Sequence, residues 1–201
     1  MIKRNKKTKY ESSDEPRLYH GDIPLDSEHE LWICWWLDEL KDLGFIKYYT
    51  RAEPFSLSHG YTNNYVVKMK TKSKPMRQSI CGGHVYTPEF RVVWHKKALD
   101  KIVWLMDSGD KFDKVLIGHI AANKELYTII EVKPEFDYNN MTRLFTINQK
   151  WVFDKYGIWV NLIKPKELFK KTFTPVNFRK TKTGKERKID WKVKNLTTYL
   201  K

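Results

Sequence analysis

Residues 125–134 read ELYTIIEVKP, and the fold turns on how this stretch is read. Its short apolar, β-branched run is bounded by charged residues and ends at a proline, the pattern of a buried strand. Side chains alternate across a strand, so Glu131 and Lys133, two residues apart, project to one face at its end. A carboxylate and an ammonium placed there are costly to desolvate unless they meet partners or a ligand.

Working outward, VLIGHI (115–120) and IWVNLI (158–163) are further apolar strands. Residues 141–156, MTRLFTINQKWVFDKY, carry Met141, Leu144, Phe145, Val152 and Tyr156 on one helical face, with Gly157 as the stop. Upstream, HVYTPEFRVVW (84–94) reads as one long strand carrying Glu89, and KKALDKIVWLMDSG (96–109) as a short amphipathic helix ending at Gly109. FIKYYT, EPFSLS and YTNNYVVKMK read as extended segments before a basic loop, KTKSKPMR. The first clear helix begins at Ser27, where Ser27 and Glu30 form a capping box, and stops at Gly44. Trp32, Ile33, Trp36, Leu37, Leu40 and Leu43 form its apolar arc, with Glu30 at the border. Helix, several strands, helix and strand together predict an α/β fold with a mixed central sheet.

The 201 residues suit a flexible basic arm (1–24), a core domain (25–163) and a basic C-terminal extension (164–201) turning as a hairpin near Thr183-Gly184. Two cysteines exclude a disulfide framework and suit a reducing compartment. The first ten residues lead into no apolar signal region, and the longest apolar run, LWICWWL (31–37), is too short to span a bilayer, so the cytoplasm is expected. The formal charge is +14. From Asn161 to Lys201 there are thirteen basic residues against Glu167, Glu186 and Asp190, so 13 − 3 = 10 of the net charges lie in the last fifth of the chain. Polyanions, nucleic acid above all, are the partners such clustering favours.

Pro88-Glu89 on one strand and Glu131-Val132-Lys133 on the next resemble the two elements of the PD-(D/E)xK nuclease superfamily, with Glu at 89 where the family usually has Asp. E-x-K recurs at Glu39–Lys41 and Glu186–Lys188, but only Glu131 follows a buried strand and an upstream acidic one. The resemblance covers roughly residues 27–163 and is closest to small phage-encoded Holliday-junction-resolvase-like and transposon-endonuclease-like members. It implies an αβββαβ restriction-endonuclease-like core, with the 42 residues between Glu89 and Glu131 (131 − 89) accommodating an inserted helix. It also implies a Mg²⁺- or Mn²⁺-dependent endodeoxyribonuclease acting on branched DNA, in host cytoplasm if phage-encoded, and it allows a homodimer. Glu89 and Glu131 would bind the metal, Lys133 would orient water, Glu30 on the first helix would complete the shell, and Gln149 matches a glutamine some members carry on the second helix.

DNA contacts are expected from Lys68, Lys70, Lys72, Lys74 and Arg77, from Lys150, and from Arg179, Lys180, Lys182, Lys185, Arg187 and Lys188. Phe178 and Trp191 could stack on unpaired bases. Other readings stand beside these. Glu30 is also a capping residue, Gln149 also suits an interior amide, and the Glu89, Glu131 and Lys133 trio also fits a cross-strand ion pair. Glu135 and Asp137 suit loop carboxylates, and His59, Cys81, His84 and His95 are a weak zinc pattern. The alternatives to a DNA nuclease are a catalytically inactive nucleic-acid-binding or virion-associated protein with the same fold, and an RNA-processing nuclease.

Overall fold

The computed structural model describes residues 18–106, 115–136 and 141–200. It is a mixed α/β structure around a mostly antiparallel six-stranded sheet. Strands β1 (Leu18–His20) and β2 (Ile23–Leu25) form a small hairpin before helix α1 (Glu28–Asp42). The expected arm therefore holds structure from Leu18 onward, and residues 1–17 lie outside the described residues. Ser27 caps α1, accepting the Glu30 N–H at 3.3 Å, and Gly44 leaves the helix at φ +69°.

β3 (Ile46–Arg51) follows, then β4 (Phe55–Ser58), and then an exposed two-stranded ribbon of β5 (Tyr61–Lys68) and β6 (Ser73–Cys81). The KTKSKPMR segment, expected as a loop, is thus the tip and second strand of this ribbon. The long strand expected at 84–94 is broken into β7 (His84–Tyr86), paired with β4, and β8 (Phe90–Trp94), in the central sheet. Pro88 has no N–H for a ladder, so the break falls there and Glu89 sits on the bend that opens β8.

The helix expected at 96–109 is not formed over its described part. Lys96–Ala98 make a single 3₁₀ turn, and β9 (Val103–Leu105) is an edge strand parallel to β10 (Leu116–Ile120). Ile102, in the turn, and Val103, which opens β9, are both fully buried, so the apolar residues of this stretch fill the core from a turn and a short strand and not from a helix face. Gly109 lies outside the described residues.

β11 (Leu126–Val132) is the centre of the sheet. One edge pairs antiparallel with β8, which pairs in turn with β3. The other edge is shared: β10 pairs antiparallel at its start, and β12 (Val160–Ile163) pairs parallel along Ile129–Val132. Where β10 and β12 part, the buried Asn161 amide donates to the carbonyls of Ile117 and Ile129 and accepts the Ile117 N–H at 2.8 Å. It completes the ladder that the divergence would leave open.

Alternation along β11 divides two cores. Ile130 and Val132 join Phe90, Val92 and the Ile33, Leu37 and Leu40 face of α1, whereas Ile129 joins Phe145, Val152 and Val160 of the side covered by α2 (Met141–Tyr156). The face of α2 differs from the expected one. Phe145, Asn148, Gln149 and Val152 are buried, whereas Leu144 and Tyr156 are exposed, because Phe145 and Val152 pack with Leu57, Tyr86, Ile129 and Val160 and the helix turns that face inward.

The C-terminal extension is not a solvated appendage. α3 (Pro165–Lys171) leads into a segment that lies on α1 and closes with α4 (Leu196–Tyr199). Thr172 accepts the Trp36 indole N–H at 3.1 Å, Phe173 stacks on Trp36, and Phe178 meets Trp32 edge-on. The turn expected at Thr183-Gly184 is present, but it closes through the single bridge Lys180–Glu186 with no strands beside it. Phe178 is fully buried against Trp191, Phe169 and the Arg187 guanidinium, so it is core and not a base-stacking surface.

Candidate active site

Four elements meet at one end of the sheet. α1 brings Glu30, β3 ends in Arg51, the bend before β8 holds Glu89, and β11 ends with Glu131, followed by Lys133. Phe90 pairs with Ile130, and Glu89 stands one residue before this pair, as Glu131 stands one residue after its partner. The Glu89 N–H donates to the Ile130 carbonyl at 3.0 Å, which fixes that bend against β11. The antiparallel ladder therefore carries both acidic residues to the same end of the sheet.

Glu30 serves two purposes at once. Its carboxylate takes the Ser27 hydroxyl at 2.8 Å and the Asp26 N–H at 3.1 Å, completing the cap, while it is nearly fully buried beside the Arg51 guanidinium at 2.7 Å. Arg51 also reaches Glu89 at 2.9 Å and Asp26 at 3.0 Å. One guanidinium thus faces three carboxylates, whose oxygens lie within 4.8 Å of one another. Asp26, Glu30 and Glu89 are the only such set of three among the described residues. Glu131 is outside that set; its two oxygens meet the Lys133 ammonium at 2.5 Å and the Tyr86 hydroxyl at 2.9 Å.

The electrostatics follow from this crowding. Burial, then the charges of Glu30 and Glu131, push the Glu89 carboxyl up to about 7, against the pull of Arg51 and Lys133. Burial and the carboxylates of Glu131 and Glu89 hold the Tyr86 phenol above its ordinary value, so it stays a donor. Burial opposes the charge on Arg51, but Glu89, Glu30 and Asp26 more than offset it and raise its value.

The other expected residues fall elsewhere. The Gln149 amide is buried and donates to the Val160 carbonyl at 2.6 Å, tying α2 to β12. Glu135 accepts the Lys166 N–H at 2.8 Å at the start of α3, and Asp137 lies outside the described residues. Burial opposes ionisation of Glu135, yet His29 and the Lys166 N–H bring its carboxyl down to about 2. His84 bonds Asn148, Cys81 is exposed, and the zinc pattern forms no group of three among the described residues.

Lys68, Lys70, Lys72, Lys74 and Arg77 are exposed on the ribbon, Lys150 is exposed on α2, and Lys180, Lys182, Lys185 and Lys188 are exposed on the extension. Arg179 and Arg187 are half-buried and engaged by their own chain, Arg179 with Thr174 and Asn195, and Arg187 over Trp32 and Phe178.

Asp26, Arg51 and Tyr86 are members of the site that the sequence pattern does not single out. Arg51 ends a strand adjacent in space to Glu89 but 38 residues away in the chain (89 − 51), and no local spacing marks that pairing. No family model, curated protein or solved structure matches the chain.

Proposed function

We propose that this protein is a metal-dependent endonuclease acting on DNA, built on a restriction-endonuclease-like core. The observation that carries the reading is the meeting of Glu30, Glu89 and the Glu131–Lys133 pair, from a helix and two neighbouring strands, at one end of a basic protein's central sheet. Three clustered carboxylates are a hard-oxygen donor set that fits magnesium or manganese. Glu89 and Glu30 would hold the ion, with Asp26 at the exposed rim and Glu131 joining from the adjacent strand. Once bound, the metal would polarise the scissile phosphate and make bound water acidic.

The residues of the chain account for the rest. Lys133 sits where its ammonium can hold a water or offset charge gathering on the phosphate. Tyr86 keeps Glu131 oriented, and Glu89, whose carboxyl is raised by burial and by the charges of Glu30 and Glu131, is a group whose ionisation a nearby cation would favour. Branched DNA remains the preferred substrate through resemblance to resolvase-like members.

Incubating the protein with linear duplex, single-stranded and four-way-junction DNA, with magnesium, with manganese and with chelator, tests the reading. Metal-dependent cleavage that Glu131→Gln abolishes supports it; absence of cleavage on every substrate sinks it. The placement of Arg51 favours a second reading, a nucleic-acid-binding protein without turnover, because an internal guanidinium already pairs with oxygens of all three carboxylates that a metal would use. That reading expects binding with no metal-dependent cleavage.

A further inference from the structure

We infer that the β5–β6 ribbon reads duplex DNA by entering its major groove, with the Asn64–Arg77 cross-strand pair turned to the base edges. The inference rests on the action on DNA proposed above, and it deepens that reading by naming the form of nucleic acid and the element that recognises it.

The ribbon is built unlike the rest of the molecule. Every residue from 63 to 83 is exposed, so neither face is committed to a core. A free two-stranded ribbon has little packing to sustain it, and a partner surface is what its two bare faces lack. Its strands run eight and nine residues, roughly 26 Å at about 3.3 Å per residue. Two strands about 4.8 Å apart, with their side chains, match a B-form major groove about 12 Å wide, which admits such a ribbon.

The charge is as one-sided as the exposure. Between Glu53 and Glu89 there is no acidic residue, whereas Lys68, Lys70, Lys72, Lys74 and Arg77 all lie on the ribbon or its tip. Lysines on exposed strands also discourage edge-to-edge aggregation, but acidic residues would serve that end equally. Exclusion of every carboxylate points to a polyanion instead.

The register sorts the side chains by face. On one face stand the pairs Thr62–Ser79, Asn64–Arg77, Val66–Pro75 and Lys68–Ser73; on the other stand Asn63–Gln78, Tyr65–Met76 and Val67–Lys74. The first face combines the groups that read a major groove. Arg pairs with guanine, Asn with adenine, the hydroxyls with either, and Val66 and Pro75 are apolar surface for a thymine methyl. Lysines at the tip then fall to the phosphates on the groove walls, which position without specifying.

The root of the ribbon couples it to the site. Gly60 and Gly83 bring the two chains so close that a side chain on Gly60 would stand 3.3 Å from the Gly83 nitrogen. β7, which follows directly, carries Tyr86, the hydrogen-bond donor to Glu131. DNA seated on the ribbon would therefore be held by the strand that leads into the candidate active site.

The test is binding with chelator present, so that cleavage plays no part, across a salt series on duplex DNA, duplex RNA and single-stranded DNA. Three full-length proteins are compared with wild type: Lys68, Lys70 and Lys72 all changed to Ala; Asn64→Ala with Arg77→Ala; and residues 61–82 replaced by an Asn-Gly turn joining Gly60 to Gly83. The triple lysine variant should weaken duplex binding on all sequences alike and reduce the salt slope by about 0.9 for each phosphate no longer neutralised. The Asn64/Arg77 variant should flatten preference in a randomised duplex pool by about tenfold or more at the contacted positions. Duplex RNA should compete poorly, since its major groove is too narrow and deep for the ribbon.

The inference is overturned if the ribbonless protein melts at the wild-type temperature and binds duplex DNA with unchanged affinity, slope and preference. Equal competition by duplex RNA overturns it too, as does loss of self-association alone, which would make the ribbon a pairing edge between copies. Metal-dependent cleavage is scored separately. Ribbon-dependent binding without any cleavage leaves this inference standing and removes the nuclease; cleavage undiminished in the ribbonless protein does the reverse.

Discussion

Arg51 Nη1 lies 2.9 Å from Glu89 Oε2, so the acidic cluster carries its own counter-cation from a strand that the local sequence gives no reason to connect with it. This pairing makes Arg51 the first residue to test. In Arg51→Met the carboxylates of Glu30 and Glu89 lose their partner while remaining largely buried. Without divalent metal, stability should fall by roughly 2–3 kcal/mol, below the 3–5 kcal/mol of a fully buried pair because Arg51 is 29% exposed. Millimolar magnesium should then raise the melting temperature of the variant more than that of wild type, since a dication and the guanidinium compete for the same oxygens. Equal magnesium responses in the two proteins would refute a cation site there.

Glu131 and Lys133 separate catalysis from binding. Glu131→Gln and Lys133→Ala should each lower metal-dependent cleavage by a factor on the order of 10²–10³. DNA affinity should persist in both, because the exposed lysines of the ribbon and extension are untouched. Undiminished cleavage in both variants would refute the assignment, even in a protein that proved to be a nuclease.

Glu89 predicts a pH dependence with a definite sign. Its carboxyl is raised from 4.5 to about 7 by burial and the neighbouring carboxylates, so the folded state holds the proton more tightly than the unfolded chain. The stability this contributes is fully present below about pH 4.5 and is lost as pH rises through about 7. Glu89→Gln removes the titration, so the melting temperature of the variant minus that of wild type should increase from pH 5 to pH 8 without metal. Glu135, brought down to about 2, acts oppositely, contributing stability above about pH 4.5 that is lost as the medium is acidified toward pH 2. A flat difference for Glu89→Gln across pH 5–8 would contradict the buried, crowded environment.

The extension should behave as core. Phe178→Ala should cost about 3–5 kcal/mol, as expected for emptying a fully buried aromatic site. Truncation before Pro175 removes Phe178, Trp191 and Leu196 together and exposes Trp32, so it should abolish cooperative melting instead of merely trimming DNA affinity. A truncated protein that melts like wild type would overturn this.

Much of the architecture was legible in local sequence. Strict alternation in β11 put Glu131 and Lys133 on one side, Ser27 and Glu30 marked the start of α1 through backbone groups they alone can satisfy, and Gly44 and Gly157 ended helices at positive φ. Each of these depends on interactions within a few residues, which the order of side chains determines by itself. Tertiary structure decided the rest. The sharing of one β11 edge by β10 and β12, stitched by Asn161, depends on which strands arrive there. Phe178 had the composition of a surface tail, and only its meeting with Trp32 made it core. Arg51 became a partner of Glu30 and Glu89 because burying carboxylates together demands a cation, and three-dimensional proximity alone determines which cation can reach them.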